Sequence, residues 1–484
     1  MKTYIIAASL AITGVAQAQT FTDALRFSAT QYGGTARFTA MGGSMSALGG
    51  DLSAISVNPA GAAFYRKDEV SLTTGLNFNN TTSKYNGVTT TDSRVHANLG
   101  QLGYISANLI SDTTNKWKSF SLGFNYNRNN NFYKNIAIAG PSSGSSLGDE
   151  FAMRAQGTVS TAFDPYTTGL AWKTYLIDSV PNKDATYFVN KPTQSFSQEK
   201  YVSTKGTMSE FNGFLAGNYD DKLYVGASFG AQYVEYTETS TLREAKNTSD
   251  TTSVIKDMAY TENLYTSGRG WFLNVGAVYR PTSFLRIGAS LRTPTYFSLK
   301  DAYSTSMTTN FTTKFPSSTK NFSATTDDLK YDYTLTTPMR ATASIGFVIN
   351  KIGLLNVDYE YVDYKKARFG PSKNFGTTNT QIATQGTTTQ NIRIGGEVRV
   401  DKKFSIRGGV GMYGEAFAQN IKFSNYRMNY SGGVGYRTGR IIIDGAVQYG
   451  TSGQSYYMYS PTLVNASNIT ASNVSAVLTL GLRF

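Results

Sequence analysis

The sequence predicts an all-β membrane protein: a 14-stranded antiparallel transmembrane β-barrel with a small N-terminal hatch, or plug, inside its lumen. Three observations support this prediction. Apolar and polar side chains alternate in segments of roughly ten residues. The connections between these segments are short and long in turn. The chain also contains 33 Tyr, 28 Phe and 46 Gly among 484 residues, which suits aromatic girdles and curved strands.

The alternating segments number fourteen, and each is about as long as a tilted strand that crosses a bilayer. An even number places both ends of the barrel on one side of the membrane. The predicted strands cover 70–80, 98–110, 119–128, 208–219, 222–236, 270–279, 284–293, 340–349, 354–364, 391–400, 404–413, 426–436, 440–449 and 474–484.

The last predicted strand shows the alternation most clearly. One face is polar, and the other is apolar with Ala476, Leu478, Leu480, Leu482 and Phe484. A final strand that stops on an aromatic residue resembles the closing strand of bacterial outer-membrane barrels, where it is a signal for the barrel assembly machinery. The alternative is an edge strand of a soluble β protein.

The connections favour the membrane barrel over that alternative. Tight turns such as Asp220-Asp221 and Asn350-Lys351 alternate with long polar loops near 81–97, 129–207, 237–265, 295–335, 366–388 and 451–470. Short periplasmic turns and long extracellular loops are typical of outer-membrane barrels, whereas a soluble sandwich has no reason to sort its loops. Strand charges such as Arg393 and Glu397 lie at lumen positions. They predict a structural salt-bridge lattice, with a substrate path as the alternative.

The composition excludes several functions. With no cysteine and one histidine, His96, the chain lacks the usual ligands of zinc or iron, so we predict no metal, no cofactor and no enzymatic activity. The net charge of +13 is spread along the chain, which argues against a nucleic-acid partner and for anionic outer-membrane lipids and lipopolysaccharide. Residues 1–18 read as a signal peptide cleaved before Gln19. We therefore expect a location in the bacterial outer membrane.

Residues 19–67 precede the first strand and lack the barrel alternation, whereas residues 68–484 form the predicted barrel. Fourteen strands enclose a lumen too wide for side chains alone to fill, so this Gly- and Ala-rich stretch is expected to plug it. Asp51 is placed to cap a short helix through Ser56. Pro59 and Gly61 suit positions two and four of a type I turn that begins at Asn58.

Three motifs in this stretch resemble the hatch of the FadL/TodX/OmpP1 family of fourteen-stranded outer-membrane barrels. They are Ala36-Arg37-Phe38-Thr39-Ala40-Met41-Gly42-Gly43, Ala47-Leu48-Gly49-Gly50-Asp51 and Asn58-Pro59-Ala60-Gly61. The resemblance implies a channel for long-chain fatty acids, aromatic hydrocarbons or other hydrophobic compounds. It also implies gating roles for Arg37, Asn58, Pro59, Ala60 and Gly61, and a lateral exit at a kinked third strand, where Gly123 is the candidate kink.

One outer loop supports a ligand role. Within 129–207, the segment from Gly169 to Ile177 is too apolar for a solvated loop. The candidate ligand contacts are Leu170, Trp172, Tyr175, Leu176 and Ile177. The alternative is a lid packed on the barrel mouth, and one segment could serve both purposes.

A second class of function stays open. FadL-like barrels also serve as non-transporting partners in surface protein secretion or assembly complexes, such as the shuttle barrel of the type IX secretion system. Some relatives are labelled haem receptors, which one histidine disfavours for a His pair but not for Tyr ligation. A generic porin lacks this kind of N-terminal plug.

Overall fold

The computed structural model describes residues 19–112, 114–192, 196–312, 320–350, 352–418 and 425–484. The predicted signal peptide lies outside these residues. Across them, antiparallel strands form one closed barrel, in which the first strand pairs with both the second and the last. The closing register joins Glu69 to Arg483 and continues to Lys84 opposite Asn468.

In the described chain the barrel has fourteen strands, and each corresponds to one of the predicted segments. They are β1 Glu69–Tyr85, β2 Val88–Leu109, β3 Trp117–Asn131, β4 Phe196–Tyr219, β5 Leu223–Lys246, β6 Ile255–Tyr279, β7 in two segments Leu285–Arg292 and Tyr296–Phe311, β8 in two segments Leu329–Thr336 and Arg340–Ile349, β9 Gly353–Asp363, β10 Thr388–Arg399, β11 Phe404–Tyr413, β12 Asn425–Thr438, β13 Ile441–Tyr456 and β14 Ser467–Arg483.

The predicted alternation is confirmed in β14. Leu478 and Leu480 are 48% and 51% exposed on the outer face, whereas Thr479 between them is 3% exposed and faces the lumen. Apolar side chains are exposed on the outer face of every barrel strand, as a lipid-facing belt requires. Within the described residues, no helix has both the length and the apolar character needed to cross a membrane.

Several predicted loops are strands instead. β4 and β5 have 24 residues each, and β6 has 25. The stretch predicted as a loop at 81–97 is a hairpin that turns at Asn86 and Gly87, with φ of 43° and 84°, as a tight hairpin turn requires. Beyond the bilayer both faces meet water or other loops, so the alternation fades while the ladder of backbone hydrogen bonds continues.

The remaining elements lie in the lumen or in the outer loops. The α-helices are α1 Phe21–Ser28, α2 Ala36–Ala40, α3 Leu147–Ala155, α4 Thr168–Lys173 and α5 Ser372–Gln385. The 3-10 helices are Ala54–Ser56, Pro59–Phe64, Ser160–Ala162 and Tyr364–Lys366. Short strands outside the barrel count are Lys134–Pro141, Ile177–Ser179, Tyr187–Val189, Asn321–Thr325 and Arg368–Gly370.

Residues 19–67, called the plug segment below, contact strands on opposite sides of the barrel. α2 packs against β11 to β14, while the 3-10 helix Pro59–Phe64 packs against β3 to β6. The backbone N–H of Ala36 donates to Thr479 Oγ1 at 2.7 Å. Because most of the segment is buried between these walls, it occupies the lumen.

Candidate functional site: the plug segment and the lumen wall

The Asn58-Pro59-Ala60-Gly61 turn joins the plug to the wall. The Asn58 Oδ1 accepts from the Ala60 N–H at 3.1 Å, and the Gly61 N–H donates to the Asn58 carbonyl at 3.0 Å. This i to i+3 bond is the one that the predicted turn requires. The Asn58 amide also donates to the Ser46 carbonyl at 3.0 Å, which fixes the turn to the rest of the plug.

Glycines in the wall make room for this turn. A Cβ atom added at Gly276 would lie 2.0 Å from Asn58 Oδ1, and one added at Gly226 would lie 2.5 Å from the Pro59 carbonyl carbon. At Gly395 an added Cβ would lie 2.2 Å from the Met41 carbonyl oxygen, and at Gly409 it would lie 2.3 Å from the Gly42 nitrogen. The plug thus rests directly on wall backbone at both sides of the lumen.

These wall glycines are plug-contact positions that the sequence analysis missed. Each stands at a lumen position, where neighbouring strand residues carry polar or charged side chains. The signal that could have revealed a closely packed plug is the presence of glycines at lumen positions of several strands. These glycines do not stand in turns, so turn chemistry does not explain them.

Arg37 enters a chain of buried charges below α2. Its Nε lies 2.8 Å from Glu397 Oε2, and the same oxygen lies 2.7 Å from Arg407 Nε. Arg407 continues to Asp444 at 2.8 Å. Arg37 also donates to the Gly50 carbonyl at 2.9 Å. The predicted salt-bridge lattice therefore exists, and it includes the plug as well as the wall.

A second buried charge cluster surrounds Arg393, whose side chain is fully buried. Its guanidinium lies 3.5 Å from Glu360 and 3.8 Å from Asp358, and it covers the Tyr32 ring at 4.3 Å. From the plug, the Tyr32 hydroxyl donates to Glu360, and Ser46 Oγ donates to Asp358 at 2.8 Å. Removing one member of such a cluster leaves an uncompensated buried charge.

The upper lumen is different, because its side chains are apolar and hold helix α1. Phe21, Leu25 and Phe27 of α1 are buried there. Phe21 packs edge-on against Phe417 with ring centroids 5.0 Å apart, and Phe27 does the same with Tyr236 at 6.3 Å. The wall and loop residues of this surface, called the α1 seat, are Met208, Val234, Tyr236, Phe297, Leu299, Tyr333, Leu335, Val362, Tyr364, Phe369, Phe375, Ile382 and Phe417.

The apolar segment of the outer loop is packed rather than open. Leu170, Leu176 and Ile177 are fully buried in a cluster that also contains α3 and the extracellular ends of the strands. Trp172 and Tyr175 are partly buried at its edge. The three aliphatic residues therefore form the core of a lid, which is the alternative given in the sequence analysis, and their contact with a ligand stays a prediction. A ligand contact at Trp172 or Tyr175 stays a prediction.

The predicted wall kink at Gly123 is also wrong in position. β3 pairs without a register shift around Gly123, opposite Ile105 of β2 and Phe214 of β4. An added Cβ at Gly123 would lie 2.1 Å from the Tyr104 carbonyl oxygen. This glycine therefore allows close packing of the wall and does not break it.

The regular ladder is weakened instead between β7 and β8, although the register continues from Arg292 opposite Arg340 to Tyr296 opposite Thr336. Both strands stop and restart at the same level, at 293–295 and 337–339, each around a proline that has no N–H to donate. The bridging contacts across the gap come from one pair: the Thr337 N–H donates to the Thr295 carbonyl at 3.0 Å, and the Thr295 N–H donates to Thr337 Oγ1 at 2.9 Å. Pro294 and Pro338 in the sequence are the signal for this interruption.

No protein-family model matches the sequence, and no curated protein is significantly similar to it. Solved structures are similar in fold. The crystal structure of a Pseudomonas aeruginosa FadL homologue matches with a TM-score of 0.55 at 13% identity, over 94% of this chain and 99% of that chain. The crystal structure of the P. putida toluene transporter TodX matches with a TM-score of 0.53 at 13% identity, over 94% and 99%.

These matches define the class of fold. The chain has the fourteen-stranded barrel of FadL-type outer-membrane proteins, which confirms the fold that the hatch motifs imply. At this level of identity, the likeness concerns the fold.

Proposed function

We propose that this protein is an outer-membrane channel that admits small hydrophobic compounds by passive diffusion, with the plug segment as its gate. The α1 seat is the observation that carries the proposal. It is a large apolar surface in a lumen that also contains buried clusters of charged and amide side chains. The structural neighbours named above include a toluene transporter.

The α1 seat can exchange one apolar occupant for another. α1 is eight residues long and enters the seat mainly through Phe21, Leu25 and Phe27. A hydrophobic compound that leaves water gains about 25 cal/mol per Å² of buried apolar surface, so it competes with these side chains on equal terms. Aromatic hydrocarbons and fatty acids both meet this requirement.

The gate lies directly below. Asn58, Pro59, Ala60 and Gly61 rest on the wall at Gly226 and Gly276, and Arg37 is ion-paired to Glu397. We propose that release of α1 removes the upper support of the plug and permits the Asn58–Gly61 turn to leave its seat. The uptake route then needs no energy source, because its end point is lipid.

We propose that the ligand leaves through the interruption between β7 and β8. Phe297 and Leu335 of the α1 seat lie just above this gap, on the same two strands. A ligand in the seat therefore lies next to a part of the wall where two prolines remove ladder donors. Lateral exit at this level delivers it to the bilayer instead of the aqueous periplasm.

The proposal is tested by uptake of radiolabelled toluene and radiolabelled oleate into cells that produce the protein in a host without its own channel of this kind. We expect faster uptake of at least one compound than in cells without the protein. A variant with Phe21 and Phe27 replaced by Asp should lose that increase or alter its rate several-fold, because charges cannot occupy the seat. A matched variant with Asp at two exposed outer positions, Met153 and Val159, should behave as wild type.

The transport proposal would be contradicted if, for each compound, cells with the protein at their surface took up no more than cells without the protein. Co-purification of a stoichiometric protein partner in that case would favour the alternative, a barrel that serves a surface secretion or assembly complex.

A further inference from the structure

The periplasmic end of the lumen contains a cavity of about 870 Å³ that the proposed uptake route does not use. It lies below the plug segment and between the ends of β7 to β14. Its rim includes the turn at 400–403 and Arg437, which belong to the side of the short turns. We call this cavity the vestibule. Its volume is typical of a small-molecule site rather than of a protein-docking surface.

One wall of the vestibule is strongly basic. Eight Lys and Arg side chains line it against three Asp and Glu side chains. Two of these acids are already engaged, since Glu397 pairs with Arg37 and Arg407, and Asp444 pairs with Arg407. The internal acids therefore do not neutralise the remaining cations, which leaves an excess of positive charge around the cavity.

Two of these arginines lack acidic partners. The partly buried side chain of Arg437 makes neither a hydrogen bond nor an ion pair with any described residue. Arg286 lies over the Phe64 ring at 4.3 Å and donates to the Leu48 carbonyl, while its buried Nε has no partner in the described part of the chain. Guanidinium groups held partly out of water favour a bound anion, and their planar fork suits carboxylate and phosphate.

A second wall, against which Arg286 lies, is otherwise apolar. It consists of Leu48 and Phe64 from the plug and of Val348, Ile352 and Leu354 from the β8–β9 hairpin. Ile352 is 58% exposed, although it is a large aliphatic side chain at the cavity rim. A ligand that satisfies both walls must carry an anionic group on one side and an apolar body on the other.

We propose that the vestibule binds a small amphipathic anion with a phosphate or carboxylate head. The head pairs with Arg437, and the apolar body packs on Phe64, Leu48 and Leu354 beside Arg286. The ligand is either a free single-chain amphiphile or the headgroup region of a phospholipid in the periplasmic leaflet, because both present the same chemistry. The site does not depend on whether the barrel transports hydrophobic compounds.

Calorimetric titration with hexyl phosphate tests the site, with the mature protein in an uncharged maltoside detergent. We expect saturable binding that Arg437→Gln weakens at least tenfold. Lys222→Gln is the matched control, because it removes the same charge from an exposed periplasmic turn outside the vestibule. It should leave the affinity within twofold of wild type. The heat-dependent shift of folded barrels in gel electrophoresis verifies that both variants are folded.

Inorganic phosphate and hexanol test the contributions of the basic wall and the apolar wall separately. Each should bind at least tenfold more weakly than hexyl phosphate, since each satisfies one wall. Equal affinity for phosphate and hexyl phosphate would overturn the amphipathic assignment, and no binding, or equal weakening in both variants, would overturn the site. Dihexanoyl phosphatidic acid distinguishes a phospholipid from a free single-chain amphiphile as the ligand. Tighter binding than that of hexyl phosphate supports a phospholipid, and weaker binding supports a free amphiphile.

Discussion

The lower and upper halves of the lumen hold the same N-terminal segment by different forces. In the lower half, Arg37 and Tyr32 of the plug join buried charge clusters around Glu397 and Arg393. In the upper half, α1 is held mainly by the apolar contacts of its seat, with Arg26 paired to Glu238 at its edge. Buried charges require specific partners, whereas apolar contacts are non-directional and accept any apolar group of suitable size.

This difference assigns separate roles to the two halves. A hydrophobic compound can replace Phe21 or Phe27 in the upper half, but it cannot replace Arg37 beside Glu397. Under the proposed function, the upper half is therefore the part that responds to a ligand, and the lower half keeps the lumen closed when no ligand is present.

The largest expected effect is in the lower half. Arg393→Ala should lower the free energy of unfolding by about 3–5 kcal/mol, because it leaves Asp358 buried without a cation and Glu360 with Arg340 alone. Guanidinium unfolding of the detergent-solubilised barrel measures this. Lys300→Ala is the control, since both partners of the Lys300–Asp332 pair are 73% exposed and such pairs contribute about 0–1 kcal/mol. Similar effects in the two variants would refute the structural role of the cluster.

The next effect belongs to the upper half. Phe27→Ala should destabilise the docking of α1 by about 3 kcal/mol, because it removes a buried ring that contacts Phe132 and Tyr236. Hydrogen exchange over residues 19–28 should become faster while exchange around Glu397 and Arg407 stays unchanged. Faster exchange in both places would show that the two halves are one cooperative unit, and it would contradict the distinction between them.

A smaller effect is expected where the plug touches the wall backbone. Gly276→Ala places a Cβ 2.0 Å from Asn58 Oδ1, and such overpacking costs about 1–3 kcal/mol. The Ala60 N–H donates a hydrogen bond to Asn58 Oδ1, and its hydrogen exchange should become faster in this variant. Gly213→Ala is the matched control, because an added Cβ there meets no atom within 4 Å. If Ala60 exchanges equally in both variants, the turn is not seated on Gly276.

The sequence allowed all fourteen strands to be predicted, because lipid outside and water inside impose alternation on each membrane-crossing segment. The same logic could not predict the strand extensions of β4 to β6, whose outer ends have no lipid on either face. The Asn58–Gly61 turn was predictable from local turn chemistry. The contact of Asn58 with Gly276 was not, because it joins residues 218 positions apart through tertiary packing.

The misplaced wall break has an equally physical cause. Gly123 looked like a weak point because glycine is permissive, but in β3 the missing side chain serves close packing against Tyr104 and Phe214. Pro294 and Pro338 carry the stronger signal, since a proline removes a ladder donor. Leu170, Leu176 and Ile177 were predicted correctly as unusual for a loop. Whether such a patch is open or packed depends on partners that are distant in sequence.

The central claim is that the plug moves during uptake, and a reversible crosslink tests it most directly. A Cβ at Gly346 would lie 3.4 Å from the Ala47 Cβ, close to the spacing of about 3.5–4.5 Å in disulfides. The chain has no other cysteine. The oxidised Ala47→Cys, Gly346→Cys variant should therefore lose hydrophobic-compound uptake and regain it on reduction, while each single variant transports like wild type. Wild-type uptake by the fully oxidised double variant would contradict the account.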